Sequence, residues 1–162
     1  MHKCVEMDEL YWYVRRKPRR GNGDTLYIMT MICRETRQII GYDVAFDKTT
    51  QRIQAMVDAA PPAEVYYSDG ETAYMNVVYP GEHIRLLQDK SETYSVEGVN
   101  ADLRHYIPTL ARSVRTFPRE FKTLRVVVDV FVEAYNRFCM AKYSYRMMYP
   151  DKTPPYALVN FL

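Results

Sequence analysis

The stretch VEMDELYWYV, residues 5–14, decides how the chain is expected to fold. Its two alternating faces are both largely apolar, with Val5, Met7, Tyr11 and Tyr13 on one and Leu10, Trp12 and Val14 on the other. This pattern is typical of a strand covered on both sides. Asp8 lies in its middle, where an unpaired charge is costly. An Asp in a strand more often lies at a surface or edge, but this setting favours a functional role for Asp8.

The segments after this strand predict an α/β order. We expect two more strands at 26–33 and 39–46 and a fourth strand at 64–68. Between them we expect a helix at 49–60, which Thr49 or Thr50 caps and Pro61-Pro62 ends. Short connections favour an antiparallel meander for the first three strands. A helix-length connection normally makes strands parallel, so the fourth strand can lie beside the first. Asp69 then lies at its carboxyl end.

The second half of the chain predicts one more strand and further helices. We expect a short helix at 71–78, a strand at 83–87, a long helix capped by Ser95 and kinked at Pro108, and a helix at 119–142. With 162 residues, the chain is long enough for one α/β domain, 1–162, and too short for two comfortable ones. Residues 119–162 are interpreted as a helical extension of that domain.

Composition excludes several classes of protein. No apolar run approaches the roughly eighteen residues of a membrane span, and residues 1–6 lack the layout of a signal peptide. A soluble, intracellular protein is expected. Cys4, Cys33 and Cys139 are odd in number and far apart, so neither a zinc pair nor a disulfide framework is indicated. They are interpreted as reduced, buried thiols, and a catalytic thiol is disfavoured because only His2 lies near one.

A basic cluster follows the first strand. Five of the 22 basic residues fall within six positions: Arg15, Arg16, Lys17, Arg19 and Arg20. Pro18 and the Gly21-Asn22-Gly23 turn pattern close the cluster, which suggests a protruding hairpin tip that contacts DNA phosphates. The alternative is a solvated turn that carries charge without binding anything.

Three carboxylates are candidates for metal binding. Asp8 in the first strand and Asp69 at the end of a neighbouring strand can share a cation, and Mg²⁺ or Mn²⁺ prefers such oxygen ligands. Glu97, in the first turn of the long helix, is preferred as the third ligand over Glu92, which precedes the helix cap. Each has a simpler interpretation, because Asp69-Gly70 is common turn chemistry and a first-turn glutamate stabilises a helix dipole.

The order and spacing of these motifs resemble those of one family. The segment EGVNADLR at 97–104, continuing through Leu110-Ala111-Arg112 and Arg115 to Phe117, resembles the glutamate helix of bacterial insertion-sequence-one family transposases. Three further motifs resemble the same family. They are Glu6 to Glu9 followed by Tyr13-Val14, Asp69-Gly70 followed by Tyr74, and Thr153-Pro154 followed by Ala157-Leu158. The resemblance covers more than a hundred residues, from the first strand through the glutamate helix.

This resemblance implies a DDE-type transposase with a ribonuclease H-like fold, a mixed five-stranded sheet flanked by helices. Asp8, Asp69 and Glu97 would be the catalytic metal ligands for two Mg²⁺ or Mn²⁺ ions, and Asn100 and Arg104 would contact DNA. Its expected partners are double-stranded DNA, as element ends and target, and further copies of the chain in a homodimer or higher synaptic oligomer. The expected location is the prokaryotic cytoplasm, at the nucleoid.

The sequence departs from the family in two respects, and other functions stay open. Family members usually carry a zinc-binding and helix-turn-helix region before the catalytic domain, and Pro108 interrupts the glutamate helix. The chain is therefore expected to be a fragment, a second reading frame or a stand-alone relic. One alternative is a ribonuclease H-like nuclease that cuts DNA without joining it. Another is a domesticated relic that binds DNA or a partner without catalysis.

Overall fold

The structure, a computed structural model, describes residues 1–13, 25–86, 94–110 and 120–155. Within these ranges it contains the strands β1 (His2–Tyr13), β2 (Thr25–Cys33), β3 (Ile39–Ala45), β4 (Ala63–Asp69) and β5 (Glu82–Leu86). Its α-helices are α1 (Thr50–Ala59), α2 (Thr72–Met75), α3 (Tyr94–Tyr106) and α4 (Phe121–Met148). A 3-10 turn at Pro108–Leu110 follows α3.

The five strands form one mixed sheet in the order β3-β2-β1-β4-β5. β1 pairs antiparallel with β2, and β2 pairs antiparallel with β3. On its other side β1 pairs parallel with β4, which pairs parallel with β5. The expectation of an α/β fold, with three antiparallel strands followed by parallel ones and flanking helices, is confirmed.

β1 is the central strand, and both of its faces are covered. Leu10 and Trp12 belong to a core cluster with α3 and α4, whereas Val5 and Met7 belong to a second cluster with α1. A shift of one residue would exchange these two sets between the faces. The apolar pattern of β1 therefore sets the register of the sheet around Asp8.

The register between β1 and β4 determines which side chains meet. Val5 pairs with Tyr66, and Glu6 pairs with Tyr67. The same register, continued by two residues, brings Asp8 level with Asp69 at the end of β4. Two carboxylates on neighbouring parallel strands thus lie at the same height in the sheet.

The two ends of α3 differ from the prediction. The helix begins at Tyr94, so Ser95 lies within its first turn and is not its cap. Instead, the carboxylate of Glu6 accepts hydrogen bonds from the backbone N–H groups of Ser95 and Val96. α3 ends at Tyr106, before Pro108, which begins the 3-10 turn and does not kink a continuous helix. Proline lacks an N–H, and its ring clashes with the preceding turn, so the α-helix stops there.

The other helices differ from their predicted lengths. Thr49 caps α1 as expected, since its hydroxyl accepts a hydrogen bond from the N–H of Arg52. α2 has only four residues, and α4 extends to Met148, six residues beyond the predicted end. α4 packs its buried side chains into the cluster it shares with α3. No helix in the described ranges is long and apolar enough to span a membrane.

Candidate metal site

Three carboxylates meet at the end of β4. Asp8, Glu9 and Asp69 each offer one oxygen, and these oxygens lie within 4.8 Å of one another. All three side chains are half-buried. Two oxygens on opposite sides of one Mg²⁺ are about 4.2 Å apart, so a hard divalent cation fits this group after a small side-chain movement. The strand order thus brings Asp8 and Asp69 together, and the structure adds Glu9.

Glu9 was not among the predicted site residues. Successive side chains in a strand point to opposite faces, so the neighbour of Asp8 was not expected beside Asp69. Its position next to Asp8 in a strand therefore gave no signal that it would join the site. Its longer side chain allows its carboxylate to share the site.

Asp8 is held by a side chain from α3. The amide Nδ2 of Asn100 donates a hydrogen bond of 2.9 Å to Asp8 Oδ2. The Asn100 side chain is buried, with 5% of the residue exposed. Asn100 was expected to contact DNA, but in the structure it faces inward and bonds to a carboxylate of the site.

The two oxygens of Glu9 have different partners within the protein. Lys48 forms an ion pair with Oε1 of Glu9 and a second one, of 3.1 Å, with Glu71. The hydroxyl of Tyr74 donates a hydrogen bond of 2.9 Å to Oε2 of Glu9. Both carboxylate oxygens of Glu9 therefore have a partner within the protein, even without a metal ion.

Burial and neighbouring carboxylates together change the pKa values of Lys48 and Tyr74. Burial alone would lower the pKa of Lys48, but the contacts with Glu9 and Glu71 outweigh it and raise the pKa. Burial, together with the negative charge of Glu9, raises the pKa of the Tyr74 hydroxyl well above its ordinary value. At neutral pH, Lys48 is therefore a cation beside the acidic cluster, and Tyr74 is a neutral donor.

Asp69 ends β4 in a local turn. Its Oδ1 accepts a hydrogen bond of 3.1 Å from the N–H of Glu71, which is the turn chemistry considered for Asp69-Gly70. The buried Ser68 hydroxyl donates to the main-chain carbonyl of Asp69 at 3.1 Å and lies 2.8 Å from Nε2 of His83. This chain of contacts fixes the backbone at Asp69.

Glu97 lies outside the carboxylate cluster. It is exposed in the first turn of α3 and is not one of the three carboxylates that meet within 4.8 Å. Asn100 follows Glu97 by three positions and Arg104 by seven, so all three lie along one side of the helix. Because Asn100 contacts Asp8, this side of α3 is turned toward the site. The role of Glu97 as a third ligand stays a prediction.

Most of the residues that were predicted to contact DNA lie outside the described ranges. The basic residues Arg15, Arg16, Lys17, Arg19 and Arg20 lie outside the described residues, as does Glu92, the rival third ligand. Arg104 is described and is half-buried on α3.

The three cysteines differ in their burial and in their neighbours. All three are free thiols; Cys33 and Cys139 are buried, whereas Cys4 is half-buried and not buried as expected. Sγ of Cys33 lies 3.3 Å from Nδ1 of His2, although Cys4 was the sequence neighbour of that histidine. Burial raises the pKa of Cys139 to about 11, and a protonated thiol is a poor nucleophile.

The sequence matches no protein-family model and no curated protein at a significant level. Function is therefore inferred from the chemistry of the site and from the pattern of residues around it.

Proposed function

We propose that this chain is the catalytic domain of a metal-dependent polynucleotidyl transferase with a ribonuclease H-like fold, specifically a DDE transposase. The supporting observation is the meeting of Asp8, in the central strand, with Asp69, at the end of the neighbouring parallel strand. A carboxylate pair on β1 and β4 of a sheet ordered β3-β2-β1-β4-β5 is compatible with that fold. Oxygen ligands of this kind suit Mg²⁺ or Mn²⁺, two ions of which are proposed per site.

The residues of the site have distinct proposed roles. Asp8 and Asp69 hold the cation, Asn100 holds Asp8, and Lys48 balances the charge of Glu9. A divalent cation bound here supplies the charge that activates water for attack on a phosphodiester and stabilises the leaving oxygen. Glu97, in the first turn of α3 and on the same side of the helix as Asn100, is the proposed third ligand. Positioning and charge stabilisation thus carry the reaction, as in phosphoryl transfer generally.

Strand transfer is the more specific part of the proposal. It is supported by the resemblance of residues 97–104 to the glutamate helix of insertion-sequence-one transposases. In that reaction, the 3′ hydroxyl released by cleavage attacks a phosphodiester of target DNA. Double-stranded DNA is the proposed partner, and a dimer or higher oligomer is proposed to bring two ends together.

The test combines cleavage and joining in one reaction. The protein is incubated with supercoiled plasmid and a 5′-labelled duplex oligonucleotide that ends in a 3′ hydroxyl, with Mg²⁺, Mn²⁺ or EDTA. We expect nicked plasmid and labelled plasmid with either cation and neither product with EDTA. Asp8→Asn and Asp69→Asn should abolish both products, whereas Glu97→Gln should lower both by more than about tenfold.

Two controls give the result its meaning. Asp58→Asn changes an aspartate of α1 whose side chain accepts a hydrogen bond from Gln54, and it should leave both products unchanged. Circular dichroism of each variant verifies that the fold is intact. Nicked plasmid without labelled plasmid would favour the nuclease that cuts but does not join. Products that are insensitive to EDTA, or the absence of both products, would contradict the proposed function.

A further inference from the structure

The side chain of Asn100 is only half satisfied in the structure. Its Nδ2 donates to Asp8 Oδ2 at 2.9 Å, and the residue is 5% exposed. Among the described residues, its Oδ1 has no hydrogen-bond partner and no contact with solvent. A buried amide oxygen without a donor costs stability, so its persistence in this position needs a physical reason.

The chemistry of Asp8 fixes which way the amide of Asn100 points. An ionised carboxylate only accepts hydrogen bonds, so the amide nitrogen must face it. The amide oxygen is bonded to the same carbon as that nitrogen, so it lies close to the contact with Asp8. A buried acceptor without a described partner thus lies next to Asp8, one of the three carboxylates that meet at the end of β4.

Among the described residues, no donor reaches Oδ1 of Asn100. Lys48 and Tyr74 supply donors to Glu9 on their side of the cluster. On the side of α3, the amide nitrogen of Asn100 donates to Asp8. The amide oxygen of the same side chain accepts no hydrogen bond from the described residues. A hydrated divalent cation held by Asp8 and Asp69 carries water hydrogens that satisfy such an acceptor.

We propose that Asn100 belongs to the outer shell of the metal site, with Nδ2 fixing Asp8 and Oδ1 accepting a hydrogen bond from the hydrated cation. This inference depends on the metal site of the proposed function. Asn100 is then a positioning residue for the cation and is not a contact for DNA. It also explains why α3 buries an asparagine here, because its amide offers both a donor for Asp8 and an acceptor for the hydrated cation.

Binding of Mn²⁺ tests the inference without any DNA or activity. Affinity is measured by calorimetry for the wild type, Asn100→Ala and Asn100→Asp. Asn100→Ala should bind Mn²⁺ about 10 to 100-fold more weakly, which is the usual effect of losing an outer-shell group. Asn100→Asp should unfold at a lower temperature without metal, because it sets a fourth carboxylate beside Asp8, and should bind Mn²⁺ at least as tightly as the wild type.

Asn136 provides a matched control. Its side chain on α4 makes two hydrogen bonds of 2.8 Å with the backbone of Ile39, and both of its polar groups are satisfied. Asn136→Ala should lower stability and leave the Mn²⁺ affinity unchanged.

The possible outcomes separate the two proposals. A wild-type protein that does not bind Mn²⁺ would overturn the metal-dependent function itself. Wild-type affinity in Asn100→Ala would overturn the outer-shell role alone. If Asn100→Ala fails to fold, Asn100→Asp decides, since weaker Mn²⁺ binding by that variant would contradict an oxygen that faces the cation.

Discussion

Oε2 of Glu6 accepts a hydrogen bond of 2.7 Å from the backbone N–H of Ser95, which joins the central strand to the first turn of α3. The same oxygen accepts a bond of 2.9 Å from the N–H of Val96, and Oε1 accepts one of 2.7 Å from Arg34. Glu6 is fully buried and precedes Asp8 by two residues on the same face of β1. The contact therefore sets α3 at the height at which Asn100 reaches Asp8.

Replacing Glu6 by Gln should destabilise the protein. The substitution removes the charge that faces the N-terminus of α3, and it places an amide donor against either Arg34 or the helix N–H groups. We expect the free energy of unfolding to fall by about 2 to 4 kcal/mol, as for other buried charged groups that lose their partner. Urea unfolding at neutral pH measures the change.

Glu97→Gln is the matched control, because it makes the same chemical change within the turn of α3 that Glu6 contacts. Glu97 is exposed, and its interaction with the helix dipole is worth less than about 1 kcal/mol. Equal losses in the two variants would contradict the role of Glu6 as the cap of α3.

The sheet was predictable because its determinants are local. Alternating apolar residues identified β1, and the length of the helical connection placed β4 beside it. The start of α3 was not predictable in this way. Its cap comes from Glu6, which is 89 residues away from Ser95 along the chain, whereas sequence rules look for a capping side chain next to the helix.

The same limit applies to the candidate site. The meeting of Asp8 and Asp69 follows from strand order, which the sequence indicated. The membership of Glu9, and its neutralisation by Lys48, depends on how long side chains reach across the edge of the sheet. The contact between Asn100 and Asp8 depends on the packing of α3 on β1. Neither follows from periodicity or spacing.

The basic cluster Arg15, Arg16, Lys17, Arg19 and Arg20 should govern nonspecific binding of DNA. Each phosphate neutralised on a duplex contributes about −0.9 to the slope of log affinity against log salt. Changing all five residues to Ser should weaken binding to every duplex by a similar factor and flatten that slope, because phosphate contacts do not read bases. Fluorescence anisotropy over a salt series measures both effects, and an unchanged slope would identify the cluster as a solvated turn.

His83 should make the stability of the protein depend on pH. Burial, with a smaller contribution from the charge of Arg85, lowers the pKa of His83 below its usual value of 6.5. The unfolded chain then takes up a proton at this residue before the folded protein does, so stability falls as the pH drops below about 6.5 and levels off below the folded pKa. In His83→Gln, the free energy of unfolding should fall less steeply between about pH 7 and pH 5.

Replacing Lys48 by Met should make the stability of the protein more dependent on divalent cations. Without the ammonium group, the charge of Glu9 remains beside Asp8 and Asp69, and the three carboxylates repel one another. We expect a loss of about 2 kcal/mol without metal, and Mg²⁺ should restore more stability to the variant than to the wild type because it replaces the missing cation. Thermal unfolding with Mg²⁺ or EDTA measures the difference.

Two further variants separate the charge of Lys48 from its bulk. Lys48→Arg keeps the charge and should retain most of the wild-type stability without metal. Arg52→Met removes a cation from ion pairs with Asp43 and Asp47 on the exposed side of α1, where such pairs contribute less than about 1 kcal/mol. It should respond to Mg²⁺ as the wild type does. The contrary result is that Mg²⁺ stabilises Lys48→Met no more than it stabilises Arg52→Met. That result would show that the charge of Lys48 does not interact with a cation bound by Asp8 and Asp69. Glu9 would then be a partner of Lys48 and Tyr74 and not part of the metal site.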